Sequence, residues 1–145
     1  MRLFKFVSFS FIFFFALSAS ADPQNLDCDS VPGGYLCRQI KVIRNLIDTR
    51  CTGQACDALF ANQARSAAAF VDYYNRNVFS DIRASSPLGT SAYYLADAIC
   101  SYRWRGEVSI FSNTIDQMNL LVPALVEIQS AAGIKEYKTC RLIIN

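Results

Sequence analysis

Apolar positions recur along most of this chain at alternating intervals of three and four, the period of an α-helix with one buried face. The longest run lies between Asp57 and Arg83, where Phe60, Ala64, Ala67, Val71, Tyr74, Val78 and Ile82 keep to the pattern. At about 100° per residue these side chains stay within roughly 40° of one line down a helix. The run predicts a central helix on which the rest packs. Asp57 is placed to cap it or to complement its dipole. Arg65, Asp72, Arg76 and Arg83 fall on the opposite side, with Asp72 and Arg76 at pairing distance along the helix. Phe70, Tyr73 and Phe79 lie off the stripe and either pack against a third or fourth helix, the favoured assignment, or stand exposed as contact residues.

Three other runs have the same period. Leu36, Ile40, Ile43 and Ile47 predict a helix over 35–50, with Arg38, Lys41, Arg44 and Asp48 on a solvated face. Residues 84–89, containing Pro87 and Gly89, read as a loop. Leu95, Ile99 and Tyr102 then define a third helix that starts at Thr90 or Ser91 and stops near Gly106. Phe111, Ile115, Met118, Val122 and Leu125 define a fourth, which Pro123 should kink or split and which ends near Gly133. The expected fold is all-α: a disulfide-braced antiparallel bundle of about four helices with short connections.

Both ends differ from this pattern. Met1–Ala21 has the three parts of a secretory signal peptide: the charges Arg2 and Lys5, the apolar core Phe6–Leu17, and the small-residue cleavage site Ala19-Ser20-Ala21. Its apolar core is shorter than the ~20 residues that span a bilayer, so the mature chain is expected to have no membrane span. Removing residues 1–21 from the 145 leaves 124, the size of a single domain, 22–145. Within it, 22–34 reads as an irregular arm rich in turn residues, and 134–145 as an apolar tail pinned to the body by Cys140.

Cleavage also changes the charge. Losing Arg2 and Lys5 brings Lys+Arg from 14 to 12, level with the 12 Asp+Glu. A neutral mature chain gives no argument for nucleic acid as a partner. The six cysteines (Cys28, Cys37, Cys51, Cys56, Cys100, Cys140) all survive, and an even number in an exported chain reads as up to three disulfides. Cys51 and Cys56 either bridge each other, which requires a turn at Gly53, or bridge separately and clamp both ends of a helical hairpin. Zinc is disfavoured because there is no His and no Cys-x-x-Cys pair. Secretion or a periplasmic location is expected, without cofactors.

The absence of His removes the Ser–His and Cys–His nucleophile pairs and the usual general base. The acidic residues are scattered and sit in no recognisable motif, with Asp97, near Cys100, the most interior-looking. No phosphate loop, dinucleotide fingerprint or calcium loop occurs. The inventory therefore points away from an enzyme. What remains is Tyr102-Arg103-Trp104-Arg105, which joins the only Trp to two Arg and a Tyr, the types that dominate binding hot spots. The alternative is that Tyr102 and Trp104 pack and the arginines are solvated. The pairs Tyr73-Tyr74 and Tyr93-Tyr94 form a second candidate, since adjacent helical residues point about 100° apart and one of each pair must face outward.

The six cysteines are similar in number to those of insect odorant-binding proteins, but their intervals differ from that pattern. The Cys28/Cys37 spacing resembles the N-terminal hairpin of plant invertase and pectin methylesterase inhibitors, and the likeness extends to those two cysteines and a four-helix outline. No residue role is carried over from either family. The expected function is an exported, non-enzymatic module that binds another protein, such as an inhibitor, an immunity-type antagonist or a secreted effector. The rival is a carrier of a small apolar ligand, for which Ala64, Ala67, Val71 and Tyr74 would line the pocket if neighbouring helices fail to close over the two alanines.

Overall fold

The computed structural model describes residues 26–31, 33–77, 86–104 and 108–143. The leader with its cleavage site lies outside the described residues, as do Pro32, Val78, Phe79, Ile82, Arg83, Arg105, Gly106, Ile144 and the side chain of Phe111. Four helices carry the fold: α1 (Gly34–Asp48), α2 (Gln54–Arg76), α3 (Ser86–Ser101) and α4 (Val108–Ala131). Three disulfides brace them, Cys28–Cys37, Cys51–Cys56 and Cys100–Cys140.

Side-chain contacts fix the directions. Tyr35, at the start of α1, stacks on Phe70 near the end of α2, so these helices are antiparallel. Gly89, at the start of α3, lies against Ala132 just past α4, so that pair is antiparallel too. Thr114 bonds to Asp57 and Asn75 bonds to Glu127, which makes α2 and α4 parallel. α1 packs on α2 and α3, and α4 packs on the same two. α2 therefore lies across the bundle diagonal from α3. It is one wall of four, not the central helix its long stripe predicts.

Its stripe is nonetheless buried as expected. Phe60, Ala64, Ala67 and Val71 join one continuous core with Ile40, Leu95, Met118 and Leu125 from the other helices. The helix begins at Gln54 with Gly53 as its cap residue, so Asp57 sits in the first turn and complements the dipole without capping. Asp57 is buried there, and the Thr114 hydroxyl donates to its carboxylate and, at 2.9 Å, to its backbone carbonyl. At the other end, Asn77 closes α2 by donating its backbone N–H and its side-chain amide to the Tyr73 carbonyl.

Two helix boundaries differ from the sequence expectation. α3 starts at Ser86, so Pro87 and Gly89 belong to its first turn and Thr90 and Ser91 are interior, not caps. Proline is compatible there because first-turn N–H groups have no helical partner to lose. Gly89 is needed because a Cβ would come within 2.1 Å of the Ala132 Cβ, so its loop-like identity reflects helix contact. α4 runs through Pro123 as one helix. The missing N–H costs one backbone bond, but Pro123 faces solvent while Met118, Leu121, Val122, Leu125 and Ile128 bury both halves in one core.

The charged face of α1 is also more than a solvated surface. Lys41 donates to the Leu26 carbonyl of the arm at 3.2 Å, and Arg38 lies 3.8 Å from Asp29. Arg44 pairs with Asp48 and reaches across to the Tyr94 carbonyl of α3 at 3.0 Å. In the arm, the Asp29 N–H donates to Asp27, which holds the Asp27 carboxyl below the usual carboxylate range.

The tail is held by a device that replaces a strand partner. The Gln129 side-chain amide donates to the Lys138 carbonyl and accepts from the Lys138 N–H, at 3.1 and 2.9 Å. Asn119 does the same to Leu142, at 2.9 and 2.8 Å. Helical residues advance about 1.5 Å each and extended ones about 3.3 Å, so the α4 segment 119–129 and the tail segment 138–142 cover nearly equal lengths. Midway between the two clamps, Cys140 bridges to Cys100 of α3. The tail is pinned as expected, and Lys138 adds an ion pair to Asp97 at 3.6 Å.

Two stability outcomes follow. Cys100–Cys140 spans 40 residues and Cys51–Cys56 spans 5, so loop entropy predicts losses of about 4 and about 2 kcal/mol when each pair is replaced by Ser. Urea titration of the two variants should rank them in that order. Gly89→Ala should cost about 1–3 kcal/mol through overpacking, and adding Ala132→Gly should recover most of it.

Candidate functional site

The aromatic–arginine cluster sits where α1 ends, α2 begins and α3 ends. Trp104 is half-buried, edge-on to Phe60 with ring centroids 5.5 Å apart, and 4.5 Å from the ring of Tyr102. Its indole N–H donates to the Ile99 carbonyl at 3.0 Å and so occupies one of the free carbonyls at the end of α3. The Tyr102 hydroxyl donates to the Cys51 carbonyl at 3.4 Å. Trp104 and Tyr102 therefore seal the end of the core over Phe60. Of the cluster, Arg103 is the exposed member, and Arg105 lies outside the described residues.

Arg103 lines a depression of about 560 Å³ together with Tyr102, Ser101, Ile47, Arg50 and Thr52. The turn on its α1 side is built tightly. Thr49 closes α1 through its N–H and its hydroxyl, both donating to the Asn45 carbonyl. The Arg50 N–H donates to the Ile47 carbonyl and the Cys51 N–H to that of Leu46, the paired bonds of a Schellman stop. Arg50 takes the left-handed position of that motif at φ 51°, where glycine is the usual occupant. Gly53 then turns the chain at φ 100°, as a Cys51–Cys56 bridge requires.

The proposed carrier residues do not form a group apart from the core. Ala64 and Ala67 are fully buried and Val71 is nearly so. Tyr74 is half-buried at the edge of the same core, with its ring 4.2 Å from that of the half-buried Phe70. Phe70 in turn lies 4.8 Å from Tyr35, and Tyr73 stands edge-on to Tyr74. The outcome is a continuous aromatic run, Tyr35–Phe70–Tyr74–Tyr73, across the outer face of α1 and α2. Tyr35 is 43% exposed and Tyr73 58%. Beside it, Tyr35, Ser66, Ala69 and Phe70 line a shallow depression of about 420 Å³.

The other tyrosine pair divides differently. Tyr94 is exposed, whereas Tyr93 is half-buried beneath the Lys138 ammonium, 5.7 Å from its ring centre. Asp97 is a half-exposed surface residue paired with Lys138, off the buried line of its helix as its spacing implies. On the far side of α2, Arg65, Ala68 and Asp72 share a groove of about 410 Å³ with Leu120, Pro123 and Ala124 of α4.

All six cysteines are paired, which suits an oxidising compartment, and no helix among the described residues is long and apolar enough to cross a membrane. Comparison with known protein families, with curated proteins and with solved structures finds no match to this chain.

Sequence reasoning found Tyr73, Tyr74 and Arg103, and Phe70 as the lesser of two alternatives, but not Tyr35 or Arg50 as surface partners. Tyr35 and Phe70 are joined only by helix pairing, and nothing local marks that contact. Because Trp104 fills the end of the core, Trp104→Ala should cost about 2 kcal/mol, roughly half the loss of a fully buried aromatic. A fall in denaturation midpoint with unchanged helicity at 25 °C would be its signature, whereas a surface role would leave the midpoint alone.

Proposed function

We propose that this chain is an exported protein-binding module, secreted or periplasmic, that acts by covering a partner's surface without doing chemistry on it. An inhibitor or antagonist is the form this takes. The observation that carries the reading is the aromatic run Tyr35–Phe70–Tyr74–Tyr73, mounted on two helices whose connecting turn is closed by Cys51–Cys56, with Cys28–Cys37 tying the arm to the start of α1. Tyrosine presents a large, stiff, amphipathic area with few rotors to freeze, so it gains binding energy at low entropic cost. A rigid support adds to this, because ordering a loop or helix on association subtracts from affinity.

Two further features support the same reading. The α2 waist at Ala64 and Ala67 is absorbed into the core, which favours a solid body over a carrier of an apolar ligand. The Cys28–Cys37 bridge ties the arm to α1 beside Tyr35, which adds to the rigidity of the mount at that end.

The test is affinity capture by the oxidised mature protein from the extracellular fluid of its source, repeated with Tyr35→Ser plus Tyr73→Ser. The double variant should keep its melting temperature and lose at least about tenfold in affinity for the captured partner, the scale of one or two aromatic anchors. Equal capture by the variant removes the aromatic face as the binding surface. Native mass spectrometry addresses the carrier, which requires a co-purifying small molecule.

A further inference from the structure

We infer that the depression between the ends of α1 and α3 is a recognition site for an acidic peptide segment, with Arg50 and Arg103 holding its carboxylates. This rests on the protein-binding reading and adds a partner chemistry to it, at the opposite end of α1 from Tyr35.

Its lining is chemically one-sided. Arg50 and Arg103 supply the charge, Thr52, Ser101 and Tyr102 supply hydroxyls, and Ile47 supplies an apolar wall; among the described residues no carboxylate lines it. The nearest acid in sequence, Asp48, pairs with Arg44 at 3.2 Å. Among the described residues neither the Arg50 nor the Arg103 guanidinium has an ion pair or a hydrogen bond, the bonded arginines being Arg38, Arg44 and Arg76. A guanidinium is a planar fork of N–H donors matched to a carboxylate, and here two such forks are unspent on one concave surface.

Two helix C-termini meet at this end, and a cation there has an ordinary role in offsetting the helix dipoles. That role does not consume the donors. Several terminal carbonyls are already taken: Asn45 by Thr49, Leu46 by Cys51, Ile47 by Arg50's own N–H, and Ile99 by the Trp104 indole. The dipoles hold the arginines near the depression and leave their N–H groups free for a ligand. The backbone points the same way. Placing Arg rather than Gly at a left-handed position costs about 1 kcal/mol, a strain that the Schellman bonds and the adjoining Cys51–Cys56 bridge hold in place.

The experiment follows the arginine Nε–Hε signals by NMR during titration with a capped hexaglutamate peptide, its hexaglutamine counterpart, inorganic phosphate, and vesicles containing anionic lipid. Hexaglutamate should shift the Arg50 and Arg103 signals saturably at physiological salt while Arg38 and Arg65 stay put, and hexaglutamine should shift none of them. Arg50→Gly is the decisive variant. It relieves the left-handed strain, so it should melt no lower than the parent, yet bind hexaglutamate roughly tenfold more weakly, and Arg103→Gln should do likewise. Equal shifts at every arginine, equal response to hexaglutamine, or tighter binding of phosphate or vesicles than of hexaglutamate would overturn the assignment. Capture that depends on Tyr35 and Tyr73 but not on Arg50 or Arg103 would overturn this site alone. Saturable hexaglutamate binding by a chain whose capture ignores the tyrosines would instead retain this site and remove the aromatic face.

Discussion

The bundle depends on the parallel seam between α2 and α4, its most extensive helix–helix interface. α2 brings little bulk to the core over its middle turns, where Ala61, Ala64 and Ala67 are buried. Small side chains let helix axes approach closely, and the larger Ile40, Leu95, Met118 and Leu125 then fill the shared volume. Asp57 with Thr114 fixes the register at one end of the seam and Asn75 with Glu127 at the other. Because two parallel helices cannot be consecutive through a short turn, the chain must place α3 across the diagonal before returning as α4. The whole topology follows from that pairing.

What the seam does not hold, covalent and polar clamps do. Each disulfide secures a piece that lacks helical support: the arm, the α1–α2 turn and the tail. The tail has the backbone groups of a strand and no sheet to join. Gln129 and Asn119 supply donor and acceptor together, which satisfies both groups of Lys138 and of Leu142. Gln129 is itself fully buried, so this pairing is also what makes its burial tolerable. The consequence is a body whose arm, α1–α2 turn and tail are tied down over the described residues, a suitable mount for surfaces that act by shape.

The two candidate surfaces differ in how the fold produces them. The aromatic run exists because α1 and α2 are antiparallel and bring Tyr35 to Phe70; it is a product of helix pairing. The arginine depression exists because a local stop motif aims Arg50 outward, and because α3 ends beside it with Arg103. Trp104, which looks in sequence like the anchor of a contact patch, is the stopper of the core at that end, and its polar edge serves α3's last turn. Large aromatic residues satisfy both descriptions equally well until their neighbours are known.

Helical periodicity in residues 36–47, 60–71, 95–102 and 115–125 was enough to define four helices, because burying one face imposes a three-and-four spacing along the chain. The three disulfides and the pinning of the tail were legible too, because an even cysteine count and an apolar end carrying Cys140 are compositional or local features. Tertiary structure alone decided the rest. It made Pro87 and Gly89 part of a helix, carried α4 through Pro123, chose Cys51–Cys56 over wider bridges, and filled the alanine waist. It also brought Tyr35 to Phe70 and Arg50 to Arg103. Each of these is a relation between residues distant in sequence, or a local cost offset by packing from another helix, and a periodic pattern records which face is buried without recording what lies against it.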